Sequence, residues 1–375
     1  MVAIGPPGLA LVRYGLPDQR RPSGALCVLE RSLSPELLLL RGSLYSLSLY
    51  LYATFAPVNT AFTEILINSH AVAYKPRIAT QWPLTFCIRK PSTGGIGMQI
   101  KLNVKNGRVI LPASLKLPDG QPRFHLTFPC EFTTDAGANY LVSNEVKHGY
   151  ELPTRNFLER LFRHGDLFID VGAHWGFFSL QAATHPVGDV KVIAFEPDPT
   201  NASILYRNAS DHGLTDKIVV ICAACGDTID IAPLVTNSTM MHSIHGIGLK
   251  PPFARGPCKW VSMVTLDRAL LPFHELTNSR IILKIDAEGF EPQVIDGAKS
   301  ILQGGGVAVV IWECGHTFAN GPERQALQRM VHTLSNLGFR HLRPPSQESD
   351  GPLAPFDVNQ SYLGNVISYR GDLAV

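Results

Sequence analysis

The chain has 375 residues, of which 45% are hydrophobic and 17% are charged, a composition typical of a folded globular protein. Its formal net charge is only +2, so no strong overall field directs it to nucleic acid or to an anionic membrane. Its seven cysteines, an odd number without framework spacing, do not form the pattern of a disulfide scaffold, and we expect a reducing, cytoplasmic setting.

Residues 1–60 carry no motif that indicates chemistry. Proline and arginine are scattered through the first half of this segment, and we expect a poorly ordered extension. The most apolar stretch, residues 37–58, is interrupted by Arg41 and does not reach the ~20 continuous apolar residues that a membrane-spanning helix needs. We therefore expect no stable insertion into a membrane.

Residues 61–151 alternate short apolar runs with turn signals. Asn106 and Gly107 separate two such runs, 98–102 and 108–111, and an Asn-Gly pair in this position is typical of a tight β-hairpin. We predict a small β-rich N-terminal region here, followed by the main domain over residues 152–375.

Strands and helices alternate in this main domain. Predicted strands cover residues 167–169, 191–195, 218–223, 261–266, 281–285, 307–312, 339–342 and 366–369, with helical segments between several of them. This alternation favours an α/β fold with a mostly parallel, doubly wound sheet that is covered by helices on both faces.

The loop after the first of these strands is the candidate cofactor site. The strand 167–169 ends in Asp170, and a turn that contains Gly172, Ala173 and Gly176 follows before a new apolar segment begins. Ligands of open α/β sheets bind at the carboxyl ends of the strands, so we expect a cofactor at this turn.

Two acids limit the class of cofactor. Asp170 would repel a pyrophosphate but could approach a sulfonium or amino group, which suits S-adenosylmethionine better than a dinucleotide. Glu196 ends the next strand, Pro197 fixes the turn after it, and a carboxylate in this position can accept hydrogen bonds from both hydroxyls of a ribose.

Three motifs together resemble a known family. They are D-V-G-A-H-W-G at residues 170–176, F-E-P at 195–197 and K-I-D-A-E-G-F-E at 284–291. In order and spacing they are similar to the FkbM family of S-adenosylmethionine-dependent methyltransferases, over about residues 157–313. His174 stands where the family usually has asparagine.

The resemblance implies a class I methyltransferase fold, Rossmann-like, whose doubly wound sheet has six parallel strands and one antiparallel strand. In that fold Asp170, Gly172 and Gly176 would surround the methionine part of S-adenosylmethionine. The segment from Ala224 to Asp227 would lie near the adenine.

The same resemblance places Asp286 and Glu288 at the end of the fourth strand, facing the methyl donor. A hydroxyl acceptor must lose its proton during attack, so these two carboxylates are the candidate bases, and adjacent carboxylates can raise each other's pKa. Lys284 could pair with either acid. His242, in the loop 237–250, is a further candidate base.

Other cysteine and histidine pairs indicate no metal site. Cys222 and Cys225 form a C-x-x-C pair at the end of an apolar strand without a second pair, which favours buried structural cysteines. His242 and His245 lack the helical E-x-x-H context of zinc enzymes.

The predicted function is O-methylation of a hydroxyl on a sugar, glycan or secondary metabolite. Two alternatives stay open: a nicotinamide-dependent oxidoreductase, and a cofactor-binding module without catalysis. The expected partner is a small-molecule or glycan acceptor rather than a nucleic acid, and no motif indicates an oligomeric state.

Overall fold

The computed structural model describes residues 99–236, 258–315, 321–345 and 351–373, and elsewhere only the backbone of short strands. These strands are Ala3–Ile4, Leu9–Leu11, Val28–Glu30, Leu37–Leu44, Leu47–Thr54, Thr63–Ile65, Trp82–Cys87 and His242–Ser243. The extension predicted for residues 1–60 otherwise lies outside the described residues. No helix among the described residues is long and apolar enough to cross a membrane.

Contacts divide the chain into two compact units, residues 1–110 with 129–134, and residues 111–128 with 135–375. This division does not test whether the parts fold independently. The domain boundaries predicted at residues 60 and 151 therefore stay predictions.

A hairpin joins the strands Gln99–Lys105 and Arg108–Pro112, which pair antiparallel. Asn106 and Gly107 occupy its turn with φ of 52° and 72°. Two successive positive φ values are the geometry of a type I′ turn, which matches the right-handed twist of the strands. The hairpin predicted from this Asn-Gly pair is confirmed.

The second unit contains an eight-stranded sheet. In chain order its seven main strands are β1 Leu167–Val171, β2 Lys191–Phe195, β3 Ile218–Ile221, β4 Ile281–Ile285, β5 Val307–Cys314, β6 Arg340–Arg343 and β7 Gly364–Tyr369. They lie side by side in the order β3-β2-β1-β4-β5-β7-β6, and the two-residue strand Ala354–Pro355 pairs with β6 at the edge.

Only β7 runs against the six other main strands. The pairs from β3 to β5 are parallel, and β7 is antiparallel to both β5 and β6. The six parallel strands and one antiparallel strand of the predicted class I methyltransferase fold are therefore present. The short edge strand is an addition that the sequence did not indicate.

The helices of this unit are α1 Ala136–Lys147, α2 Leu152–Leu161, α3 Phe177–Ala183, α4 Pro199–Asp211, α5 Leu266–Ala269, α6 Glu291–Asp296, α7 Lys299–Gln303 and α8 Gly321–Asn336. Asp135 caps α1 by accepting from the amide of Ala138, and Asp198 caps α4 by accepting from that of Thr200. Short 3-10 turns cover Leu271–Phe273 and Leu276–Asn278 in this unit and Cys130–Thr134 in the first unit.

Side chains alternate across the central strand β1. Leu167, Ile169 and Val171 belong to one apolar core with residues of α5 to α8. Phe168 meets Phe162 edge to face, with ring centroids 5.5 Å apart. Because successive side chains of a strand point to opposite faces, the sheet is packed on both sides.

Four further strands form a separate sheet in the order Ala224–Cys225, Cys258–Val264, Asp230–Thr236, His242–Ser243. The strand predicted at 261–266 is thus present two to three residues earlier, but outside the main sheet. Exposed Lys259 and Trp260 precede buried Val261 and Met263. Such alternation is typical of a sheet with one face exposed to solvent. By contrast, every residue of the central strand β1 in the main sheet is buried.

Candidate functional site

A cavity of about 450 Å³ opens at the carboxyl ends of β1, β2, β4 and β5. Its volume lies within the range of small-molecule sites, about 300–1,000 Å³. The predicted site residues that line it are Asp170, Gly172, Ala173, Glu196, Pro197, Ala224, Asp286 and Glu288. Gly176 and Asp227 are not among its lining residues, and the side chain of His242 lies outside the described part of the chain.

Gly172 allows the loops after β1 and β4 to come close together. It has a φ of 77°, and a Cβ atom built on it would lie 1.8 Å from the carbonyl oxygen of Asp286. The amides of Gly172 and Ala173 both donate to the carbonyl of Phe195, at 2.9 and 3.0 Å. The turn is thereby fixed to the ends of two neighbouring strands.

Gly176, whose cofactor contact stays a prediction, also affects the packing of two helices. It begins α3 with a φ of 89°, and a Cβ atom there would lie 2.9 Å from Cγ of Leu205 in α4. This glycine therefore allows α3 and α4 to pack closely behind the loop.

Asp170 is almost completely buried in the cavity wall, with 1% of its surface exposed. Its Oδ2 accepts a 2.6 Å hydrogen bond from the hydroxyl of Ser179, whereas Oδ1 has no hydrogen-bond partner among the described residues. Burial raises the pKa of the carboxyl above its usual value. A bound ligand with a donor or a positive charge could satisfy this oxygen.

Glu196 is also buried, and both of its oxygens already accept backbone hydrogen bonds. Oε2 accepts from the amide of His174 at 2.8 Å and Oε1 from that of Asp198 at 2.9 Å. Burial raises its pKa to about 7 in spite of these bonds. Each carboxylate oxygen has a further lone pair, so the predicted ribose contact is compatible with this network and stays a prediction.

Three carboxylates form what we call the acidic cluster: Asp286, Glu288 and Glu313. Each offers an oxygen that lies within 4.8 Å of the other two, and all three side chains line the cavity. Burial, followed by repulsion from Asp286, raises the pKa of Glu288 to about 8. The same two causes raise the pKa of Glu313 well above its usual range. Among the described residues, no other group of three such side chains is close enough to share a cation.

Lys284 is the cation next to this cluster. Its Nζ lies 3.0 Å from Oδ2 of Asp286 and 4.7 Å from the centre of the Phe178 ring. Burial alone would lower its pKa, but Asp286 and Glu151 raise it, so the amine stays charged. Among the described residues that line the cavity, Lys284 is the only lysine or arginine.

Two acids of the cavity were not predicted as site residues. Glu313 belongs to β5, whose carboxyl end meets that of β4, so the strand-end rule could have identified it. Glu151 precedes α2 with a φ of 44°, and its Oε2 accepts from the side-chain amide of Asn365 at 2.7 Å. No local pattern marks Glu151, because its partner lies more than 200 residues further along the chain.

The two cysteines of the C-x-x-C pair lie in different environments. Cys225 is buried, as expected, and burial raises the pKa of its thiol. Cys222 is exposed, so the expectation of a buried cysteine is wrong there, because β3 ends one residue earlier. Both are free thiols.

Residues 170–341 match the family model of the methyltransferase FkbM domain. Among solved structures, the methyltransferase FkbM from Methylobacillus flagellatus KT is 16% identical, with a TM-score of 0.36 over 56% of this chain and 45% of that chain. The match thus spans less than half of that relative. The precorrin-6y C5,15-methyltransferase from Geobacter metallireducens GS-15 is 11% identical, with a TM-score of 0.31 over 59% and 88% of the two chains.

A comparison with curated proteins finds no match to the chain. The family match lies on the part of the chain that forms the main sheet from the end of β1 to β6 and carries Asp170, Glu196 and the acidic cluster. Residues 170–341, which hold most of this site, are therefore similar to the methyltransferase FkbM domain.

Proposed function

We propose that the protein is an S-adenosylmethionine-dependent O-methyltransferase whose acceptor is a hydroxyl of a sugar, glycan or secondary metabolite. One observation carries the proposal: a single cavity in the FkbM domain is bordered by the loop after β1, by Glu196 and by the acids after β4. The choice of a hydroxyl as the methyl acceptor rests on the family resemblance.

The charge of the cavity supports S-adenosylmethionine as the methyl donor. When bound, this cofactor supplies a methyl group on a positively charged sulfur, which needs no further activation. Asp170 offers a buried oxygen that has no hydrogen-bond partner among the described residues, and Gly172 lines the cavity beside it. A dinucleotide would bring a pyrophosphate to the same acid, so the nicotinamide alternative is not favoured.

The lining charges also argue against a nucleic-acid acceptor. Six carboxylates, from Glu151, Asp170, Glu196, Asp286, Glu288 and Glu313, line the cavity together with the one lysine. Phosphate-binding proteins instead gather lysine and arginine at the site of contact. A cytoplasmic location stays a prediction, for which the free cysteines give support.

For the chemistry, we assign the removal of the acceptor's proton to the acids after β4. The Lys284 ammonium already engages Asp286. Glu288 becomes a base as the pH approaches its pKa of about 8. Replacement of Asp286 by Asn, or of Glu288 by Gln, should lower turnover and leave the affinity for S-adenosylhomocysteine nearly unchanged.

Labelled methyl transfer tests the proposal. The protein is incubated with S-adenosylmethionine labelled at the methyl group and with fractionated extract of its own cells. Mass spectrometry then identifies the fraction that gains label. A labelled small molecule or glycan, formed by the natural protein and not by the Glu288→Gln variant, supports the proposal. Label found only in RNA or DNA would contradict it.

A further inference from the structure

A second cavity, of about 50 Å³, adjoins the one described above, which we call the main cavity. Both are lined by Glu151, Gly364 and Asn365, which we call the shared wall. The other lining residues of the second cavity are Pro153, Thr154, Pro344, Pro345, Tyr362 and Leu363. One water molecule needs only about 10–15 Å³, so this space can hold a small group of a larger ligand. The main cavity must hold the methyl donor, so a large acceptor needs room beyond it.

The shared wall presents polar groups that are held in place. The side-chain amide of Asn365 donates to Oε2 of Glu151 at 2.7 Å and to Oγ1 of Thr154 at 2.8 Å. The side chain of Tyr150 makes a further hydrogen bond with that of Glu151. A carboxyl group keeps lone pairs beyond those that these bonds use, whether or not it carries a proton. Glu151 can therefore also accept hydrogen bonds from the hydroxyl groups of a ligand.

The backbone of Glu151 is strained. Its φ of 44° lies in the left-handed region, which side chains other than glycine rarely adopt. Although Glu151 directly precedes α2, its side chain makes no capping hydrogen bond with that helix. The carboxyl instead lines both cavities. Strained positions of this kind are concentrated at functional sites, so the observation points to a ligand at the shared wall.

Tyr140 of α1 adds an aromatic side chain close to this wall. It lines the main cavity, is 49% exposed, and meets Tyr150 edge to face with ring centroids 6.4 Å apart. Burial, followed by repulsion from Glu151, raises the pKa of its phenol, so the hydroxyl stays protonated at neutral pH. Tyr140 thus offers an apolar ring and a hydroxyl donor. In the second cavity, Leu363 is 50% exposed and offers an apolar contact.

We propose that the shared wall and Tyr140 bind the methyl acceptor, and that this acceptor is an uncharged oligosaccharide. The inference rests on the proposed function and names its acceptor. One sugar unit lies against Tyr140 and Glu151, and a group of the next unit enters the second cavity beside Leu363. A sugar suits these residues because it has hydroxyl donors along its edge and an apolar C–H face for an aromatic ring.

The lining residues also favour an acceptor without phosphate or carboxylate groups. Among the described residues that line the two cavities, Lys284 is the only lysine or arginine. Its Nζ already lies 3.0 Å from Oδ2 of Asp286. An anionic substituent would therefore find no free cation on these walls, whereas uncharged hydroxyl groups need none.

An array of uncharged saccharides tests the inference. The array carries single sugar units and chains of several units, and the full chain is applied to it in the presence of saturating S-adenosylhomocysteine. We expect certain chains to bind and their single units to bind about tenfold more weakly or not at all, because only a chain reaches both cavities.

Two substitutions connect this binding to the proposed site. Tyr140→Ala should weaken saccharide binding about tenfold through loss of the aromatic contact. Leu363→Ala should weaken the binding of chains about threefold and leave that of single units unchanged. Calorimetry should give the natural dissociation constant of S-adenosylhomocysteine for both variants, which also shows that they are folded. Leu363→Ala serves if Tyr140→Ala does not fold.

The chain offers a matched control for each variant. Tyr206 of α4 is 59% exposed and Leu271 is 55% exposed, and neither lines one of the two cavities. Tyr206→Ala and Leu271→Ala therefore remove the same side chains from surfaces outside the proposed site. Both should bind the array as the natural protein does.

Each outcome decides between the inference and the proposed function. Equal binding of single units and chains, or binding that both substitutions leave unchanged, would overturn the inference. Binding of S-adenosylhomocysteine without binding of any saccharide would also overturn it, and would leave a secondary metabolite as the proposed acceptor. Failure of the natural protein to bind S-adenosylhomocysteine would instead contradict the proposed function.

Discussion

Replacement of Gly172 by alanine should destabilise the protein by more than its backbone conformation accounts for. A positive φ costs an alanine roughly 1–2 kcal/mol. At Gly172, with a φ of 77°, the new Cβ would also lie 1.8 Å from the carbonyl oxygen of Asp286, where ordinary contact begins at 3.4 Å. The two loops must separate by more than 1 Å, which endangers the 3.0 Å hydrogen bond from the amide of Asp286 to the carbonyl of Val171.

Loss of that bond adds about 1 kcal/mol, so we expect a decrease of ~2–3 kcal/mol in the free energy of unfolding. Gly165→Ala is the matched control. Gly165 precedes the same strand with a φ of 81°, and its Cβ would have no neighbour within 4 Å. It should therefore cost only the ~1–2 kcal/mol of the backbone conformation.

Urea unfolding at pH 7, followed by far-ultraviolet circular dichroism, measures both values. The difference between the two variants isolates the clash with the loop after β4. Equal destabilisation by the two substitutions would refute the close approach of these loops.

Three other substitutions test separate parts of the site. Glu196→Ala should weaken binding of S-adenosylhomocysteine by ~1–3 kcal/mol, as measured by calorimetry; an unchanged dissociation constant would remove Glu196 from the ribose site. The folded pKa of Glu288, about 8, lies above that of the unfolded chain, so its contribution to stability falls as the pH rises from about 4.5 to 8. Glu288→Gln should thus lose less stability than the natural protein over this interval in urea unfolding, and parallel curves would contradict the pKa. Lys284→Met leaves Asp286 without its counter-ion and should cost up to about 3–5 kcal/mol at pH 7, measured by urea unfolding. An unchanged free energy of unfolding would contradict the buried ion pair.

The sequence was sufficient to predict the succession of strands along the chain and the turn after β1 that lines the cavity. The buried strands of the main sheet contain short apolar runs; Asp170 lies within β1, and Glu196 and Asp286 directly follow β2 and β4. Patterns of this kind are local, so they can be found without any knowledge of distant contacts. The strand 258–264 was found for the same reason, but its sheet depends on pairing with residues 230–235, which no local pattern specifies.

The side of the cavity that Glu151 and Glu313 form could not be predicted to the same extent. Glu151 reaches the cavity because Asn365 and Lys284, from two other elements, lie beside it. Glu313 directly follows the predicted strand 307–312, but Glu288, its neighbour in the cluster, has a left-handed backbone with a φ of 51° that no sequence pattern indicates. Contacts between distant segments and strained backbone positions arise only when the chain folds. They cannot be recognised from the residue types alone.

The most direct test of the central claim is the affinity of the natural protein for S-adenosylhomocysteine and for NAD, measured by calorimetry under identical conditions. S-adenosylhomocysteine should bind with a stoichiometry near one, because Asp170, Glu196 and the acidic cluster all line one cavity. NAD should show no binding, because its pyrophosphate would face Asp170. Binding of NAD without binding of S-adenosylhomocysteine would contradict the proposed function.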